Sequence, residues 1–148
     1  MHRRTPCVGI CSTTYGDLVC RGCKRFAHEI VGWNGFADAQ REAIWQRLQK
    51  LRDGAVATYV AVVDRGALQA RAMQLVVPAR EDVESTYEVA YQVLLRRRVP
   101  VTELAADGLR LQRGVQADTS RELIRYIDQE FYARSRAHYE RNFRIATE

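Results

Sequence analysis

Cysteine carries the sharpest chemical signal in this chain. Its four cysteines are Cys7, Cys11, Cys20 and Cys23, spaced C-x3-C-x8-C-x2-C, and none follows position 23. Two close pairs joined by a short loop can converge on one ion, each pair offering two thiolates from a tight turn. Four sulfurs suit tetrahedral zinc or an iron–sulfur cluster, because both favour soft thiolate ligands. The ligands alone do not choose between the two. In the second pair, Gly22 lets the backbone turn closely about a metal-bound sulfur, where amide N–H groups can donate to it. Arg21, Lys24 and Arg25 lie next to these sulfurs and would offset the charge of four thiolates around a divalent ion. A helix starting just after Cys23 would present its positive end to the same charge. A closed four-thiolate zinc site keeps no open position for Lewis-acid catalysis, so zinc here would be structural.

Three other fates of these cysteines stand beside metal. Two disulfides are disfavoured by a reducing cytosol. A redox dithiol at Cys20 and Cys23 would use the depressed pKa that C-x-x-C can produce, but it lacks the usual βαβ surroundings. Unliganded structural cysteines complete the set. His28 follows Cys23 on the expected first helix, where it is an alternative ligand, a hydrogen-bonding neighbour of one, or a helix-surface residue. Glu29 reads as a solvated carboxylate, with a hydrogen-bond acceptor behind a metal ligand as the alternative. No Gly-rich phosphate loop, H-E-x-x-H or G-x-S-x-G is present. The expectation is therefore a protein that is not a hydrolytic or group-transfer enzyme.

Several segments occur together and in order: Thr5-Pro6-Cys7-Val8-Gly9-Ile10-Cys11, Cys20-Arg21-Gly22-Cys23-Lys24-Arg25, Glu29-Ile30-Val31-Gly32-Trp33 and Asp38-Ala39-Gln40-Arg41. In this they resemble the bacterial family called domain of unknown function 1289, over about residues 5–52. Members are usually labelled predicted iron–sulfur proteins, so the resemblance implies a cluster on these cysteines. It implies no reaction and does not reach residues 55–148. The family often has Gly after the fourth cysteine, where this chain has Lys24. It often has Ser or Thr before the acidic helix start, where this chain has Ala37.

Elements able to position such a site follow from pattern. The chain has 148 residues, enough for one domain or a domain with a small appendage. All cysteines and both tryptophans precede Arg52-Asp53-Gly54, which suggests a division there. The expected fold class is α+β, with residues 1–54 a four-cysteine metal-bound head carrying two short helices and residues 55–148 a body. In the head, Phe26, Ile30 and Trp33 mark one helix face. Asp38 is the expected N-cap of a second helix with Ile44, Leu48 and Leu51 inward. In the body, β-branched residues at 58–63 and a turn at Asp64-Arg65-Gly66 predict a β-hairpin over 56–77. Ser85…Glu88 and Thr119…Glu122 are capping boxes that open two helices, the second long, with Leu123, Ile127 and Phe131 inward. Residues 101–104 and 109–111 predict short strands about Asp107-Gly108.

Net charge is +5, and the isoelectric point is about 9.3. Only Lys24 and Lys50 are lysine, so 21 of the 23 basic residues are arginine. Arg96, Arg97 and Arg98 end one helix, and Arg125, Arg134 and Arg136 interleave with tyrosines on the last. Guanidinium groups pair with carboxylates and phosphates, and with aromatics they can hold RNA. The expected partner is a protein, with RNA or DNA as the alternative. No apolar run approaches the ~20 residues a membrane helix needs. The N-terminus shows no signal-peptide pattern, so a cytoplasmic location is expected. The leading functional expectation is a non-catalytic metal-bound interaction module. The alternative is an iron–sulfur protein that transfers electrons or carries a cluster. The sequence names no oligomeric state.

Overall fold

The structure is a computed structural model that describes residues 5–77 and 85–144. Residues 1–4, on which the signal-peptide reading partly rests, lie outside the described residues. The class is α+β: among the described residues helices dominate, with one two-stranded antiparallel sheet. Two compact units form, one from residues 1–51 with 131–148, the other from residues 52–130.

In the first unit, a 3-10 helix at Ser12–Tyr15 precedes a tight cysteine-bearing turn. An antiparallel bridge between Val19 and Phe26 flanks that turn. Helix α1, Ala27–Gly32, follows and passes into a 3-10 turn at Trp33–Gly35. It begins after Phe26 rather than just after Cys23, because residues 24–26 return antiparallel to residues 18–20. Cys20 N–H donates to the Arg25 carbonyl at 2.9 Å, and Ala27 N–H to that of Leu18 at 2.8 Å. Helix α2, Asp38–Tyr59, starts with Asp38 inside its first turn and not as its cap. The Ala37 carbonyl accepts the first helical bonds, and Gln40 Oε1 takes the Ala37 N–H at 2.8 Å. Ile44 and Leu48 are buried and Leu51 is half-buried, as their spacing predicts.

Helix α2 runs through Gly54, where the chain was expected to divide. A mid-helix glycine costs about 1 kcal/mol against alanine. Complete burial of the next residues, Ala55 and Val56, outweighs that.

The expected hairpin over 56–77 is not formed. Strand β1 is Val60–Val62, and its partner is β2, Leu109–Leu111, in the register Val60↔Leu111. Helix α3, Arg65–Gln74, takes the place of the return strand. Asp64 is its N-cap, accepting the Ala67 N–H at 3.1 Å, so the turn signal was a helix start. Helix α4, Thr86–Arg96, opens on Ser85, whose hydroxyl accepts the Glu88 N–H at 3.3 Å. The Glu88 carboxylate does not complete a capping box. It is buried and pairs with Arg52 and Gln92.

The segment expected as a strand at 101–104 is a 3-10 helix, Val101–Asp107. Its last residue, Asp107, is fully buried and takes Arg71 Nε at 2.6 Å and Arg97 Nε at 2.9 Å. Gly108 then has φ 73, and a Cβ there would sit 2.1 Å from the Asp64 carbonyl oxygen. Only glycine admits that approach, which lets Val63 N–H reach the Gly108 carbonyl at 2.8 Å and seats β2 on β1. Helix α5, Ser120–Tyr139, buries Leu123, Ile127 and Phe131 and ends in a π turn, Glu140–Arg144.

Candidate metal centre

Cys20 and Cys23 lie on the tight turn of the first unit and are both buried. The turn closes because Lys24 adopts φ 66, a left-handed conformation uncommon outside glycine. That residue reverses the chain and brings Lys24 N–H to the Cys20 carbonyl at 2.9 Å. The reversal also selects which cation meets a sulfur. Arg25 is only 4% exposed. Its Nε donates to Cys23 Sγ at 3.3 Å, and its guanidinium lies 4.9 Å from the Trp33 ring. Lys24 is 1% exposed. Its Nζ donates to the carbonyls of Arg21, at 2.7 Å, and Gly22, at 3.0 Å.

Arg21 was expected beside the sulfurs, but its side chain turns outward. It pairs with Asp17 at 3.3 Å and lies 4.9 Å from the Tyr132 ring. Its backbone N–H donates to the buried Ser12 Oγ at 2.7 Å, tying the turn to the preceding 3-10 helix. His28 is exposed and meets the Phe26 and Phe143 rings, so it belongs to a surface aromatic cluster.

The sulfurs of this turn differ. Burial raises the Cys20 thiol pKa, but backbone donors at Cys23, Ser12 and Gly22, helped by the Cys23 side chain, bring it down from 9.0 to about 7. Burial pushes the Cys23 thiol above 9.0, and Arg25 only partly offsets it. Cys20 therefore sits in a nest of N–H donors, the surroundings of a bound thiolate.

The first pair lies on a loop against this turn. A Cβ at Gly22 would be 2.6 Å from the Ile10 carbonyl oxygen and 2.8 Å from Val8 Cγ2. Gly22 thus permits the two loops to touch, and the Ile10 carbonyl lies 3.5 Å from Cys20 Sγ. Cys7 is exposed, with Gly9 N–H 3.4 Å from its sulfur. Cys11 is half-buried, its sulfur 2.8 Å from Thr13 Oγ1. The loops are adjacent, but no group of three or more ligating side chains is gathered among the described residues. The donor set itself suits a soft metal: four thiols on two touching loops, with N–H donors and a guanidinium at the inner pair.

Glu29 is not solvated. It is 5% exposed and holds Arg47 through both oxygens, at 2.5 and 2.7 Å. It also accepts the Phe26 N–H at 2.8 Å. Arg47 in turn lies 4.1 Å from the Phe26 ring. Glu29 at the third position of α1 was a readable capping signal, whereas nothing local marked Arg47 or Ser12.

The arginines expected to meet a partner do not act alike. Arg97 is committed to the fold through Asp107 and through Glu103 at 3.6 Å, and Arg134 is half-buried. Arg96, Arg98, Arg125 and Arg136 are exposed. Of these, Arg96 bonds Gln92, Arg125 lies 5.5 Å from the Tyr126 ring, and Arg136 is 3.8 Å from Glu140. Arg136 belongs to the first unit, and Arg96, Arg98 and Arg125 belong to the second. No described helix is long and apolar enough to cross a membrane.

Comparison with protein families matches residues 5–52 to the family described as protein of unknown function (DUF1289). That span holds all four cysteines, α1 and α2 as far as Arg52, and it leaves residues 53–148 outside. Comparisons with curated proteins and with solved structures returned no match.

Proposed function

We propose that Cys7, Cys11, Cys20 and Cys23 bind one metal centre, zinc or an iron–sulfur cluster, and that this centre folds the head into a non-catalytic interaction module. The observation that carries the reading is the sulfur environment. Cys20 lies among backbone N–H donors, Cys23 receives the buried Arg25, and Gly22 lets the other cysteine loop touch the turn. When bound, such a centre supplies folding energy that short loops lack. Exposed Val8, Ile10, Tyr15 and Leu18, the tyrosine at 89%, supply apolar contact area on the same head for a protein partner. The exposed arginines keep nucleic acid as the alternative partner. The same proposal sets this module in the cytoplasm.

The test is elemental analysis with an absorbance spectrum on protein purified without oxygen, for wild type, Cys20→Ser and Cys23→Ser. One metal centre per chain in wild type, lost with the folded head in both variants, is expected. Full metal content in both variants would sink the reading. A brown protein that bleaches on reduction would favour electron transfer or cluster carriage instead, and a colourless protein with one zinc would exclude that. A second reading, a redox dithiol, draws on the hydrogen-bonded Cys20–Cys23 pair and the lowered Cys20 pKa. Thiol titration separates it, since metal-bound thiolates react only after a chelator is added.

A further inference from the structure

We infer that Lys24 and Arg25 form a cationic cradle that sets how tightly the cysteine centre binds its metal, acting as positioning residues rather than ligands. The inference rests on the metal reading above and names its regulation. Two cations stand side by side in the chain, and both are almost wholly buried, at 1% and 4% exposure. Burying a cation is costly unless negative charge answers it. Among the described residues, no carboxylate pairs with Arg25. Its contacts are Cys23 Sγ at 3.3 Å and the Trp33 ring. Lys24 occupies φ 66, a conformation that disfavours lysine and that glycine adopts freely. Its ammonium holds the carbonyls of Arg21 and Gly22 and faces the Phe131 ring at 5.4 Å. With those carbonyls held, the N–H groups of Gly22 and Cys23 face Cys20 Sγ.

A thiolate centre answers the buried charge of Arg25. Four thiolates around a divalent ion carry a net charge of minus two, as do four thiolates around an oxidised cluster of core charge plus two. Arg25 supplies positive charge directly on a sulfur, and Lys24 acts through the backbone of the turn. Such neighbours typically change metal affinity about 10–100-fold when removed.

The experiment titrates metal-free, full-length protein with Co2+, whose absorbance reports thiolate ligation, and then displaces it with Zn2+. Wild type is compared with Lys24→Gly, Arg25→Gln, Arg25→Lys and the Lys24→Gly/Arg25→Gln double variant. Each neutral variant is expected to bind about 10–100-fold more weakly. The double variant should be weakest, Arg25→Lys should lie close to wild type, and the Co2+–thiolate spectrum should keep its shape. Lys24→Gly suits the backbone at this position, so it carries the test alone if Arg25→Gln fails to fold. Wild-type affinity in folded Lys24→Gly and in the double variant would overturn the cradle while leaving the metal reading intact. A wild-type protein that binds no Co2+ and carries no iron when purified without oxygen would overturn both.

Discussion

Replacing Glu29 by alanine should cost the head more than any surface change. The carboxylate is 5% exposed and takes two bonds from Arg47 and one from the Phe26 N–H. Hydrogen bonds to charged groups contribute about 1.5–3 kcal/mol each, but these three share one carboxylate and do not add. The controlling quantity is the guanidinium left behind. Arg47 would stay over the Phe26 ring, mostly buried, with its carboxylate gone. Removing one partner of a buried pair costs about 3–5 kcal/mol. We expect that loss for Glu29→Ala and a similar one for Arg47→Ala. Against a total stability of about 5–15 kcal/mol, it is large enough to lower the melting temperature by on the order of 10 °C. Replacing both partners with apolar residues, Glu29→Leu with Arg47→Met, should recover most of it, because no charge is then stranded. Urea unfolding followed by tryptophan fluorescence measures all three, since Trp33 lies in the same unit. If each single variant lost less than about 1 kcal/mol, the value of an exposed pair, the assignment of Glu29 as a buried anchor would fail.

Gly22→Ala should part the two cysteine loops, because its Cβ would meet the Ile10 carbonyl at 2.6 Å. A destabilisation of about 1–3 kcal/mol and weaker metal retention are expected, and unchanged metal content after dialysis against a chelator would refute this. Asp107→Asn leaves Arg71 and Arg97 facing a neutral amide in a fully buried position and should cost residues 52–130 about 3 kcal/mol. Hydrogen exchange in that unit measures it, and wild-type protection would refute it. In metal-free protein the two buried thiols act in opposite directions with pH. Cys20 titrates at about 7 instead of 9.0, so its contribution is complete above pH 9 and is lost as pH falls through 7. Cys23 is held above 9.0, so its contribution is lost as pH rises beyond that value. Stability should therefore rise from pH 7 to 9 and decline above, and Cys20→Ser should flatten the rise; a steady fall from pH 7 to 9 in the wild type would refute it.

Much of the helical half of the fold was written locally. Ser85 and Thr119 cap the helices they were expected to open, and the Leu123, Ile127, Phe131 spacing marks the buried face of α5. Strand pairing was not local. The β-branched run near residue 60 is partly helix and partly strand, and its partner lies at 109–111. The Asp64-Arg65-Gly66 signal reads equally as a turn and as a helix start, and only the Ala67 N–H on Asp64 distinguishes them.

At the candidate site, sequence alone determined the proposed ligand set: four cysteines in two tight pairs, and a glycine placed where the loops must touch. Spacing also determined that Arg21, Lys24 and Arg25 would be near those sulfurs. Tertiary structure decided which of them act there. The left-handed turn at Lys24 folds the chain back, aims Arg25 at Cys23 and sends Arg21 outward to Asp17. Burial likewise decided that Glu29 is an anchor rather than a solvated charge. The reason is the same in each case: composition and spacing specify which groups are available, whereas the direction of a side chain and the loss of its water depend on a backbone reversal and on neighbours distant in sequence.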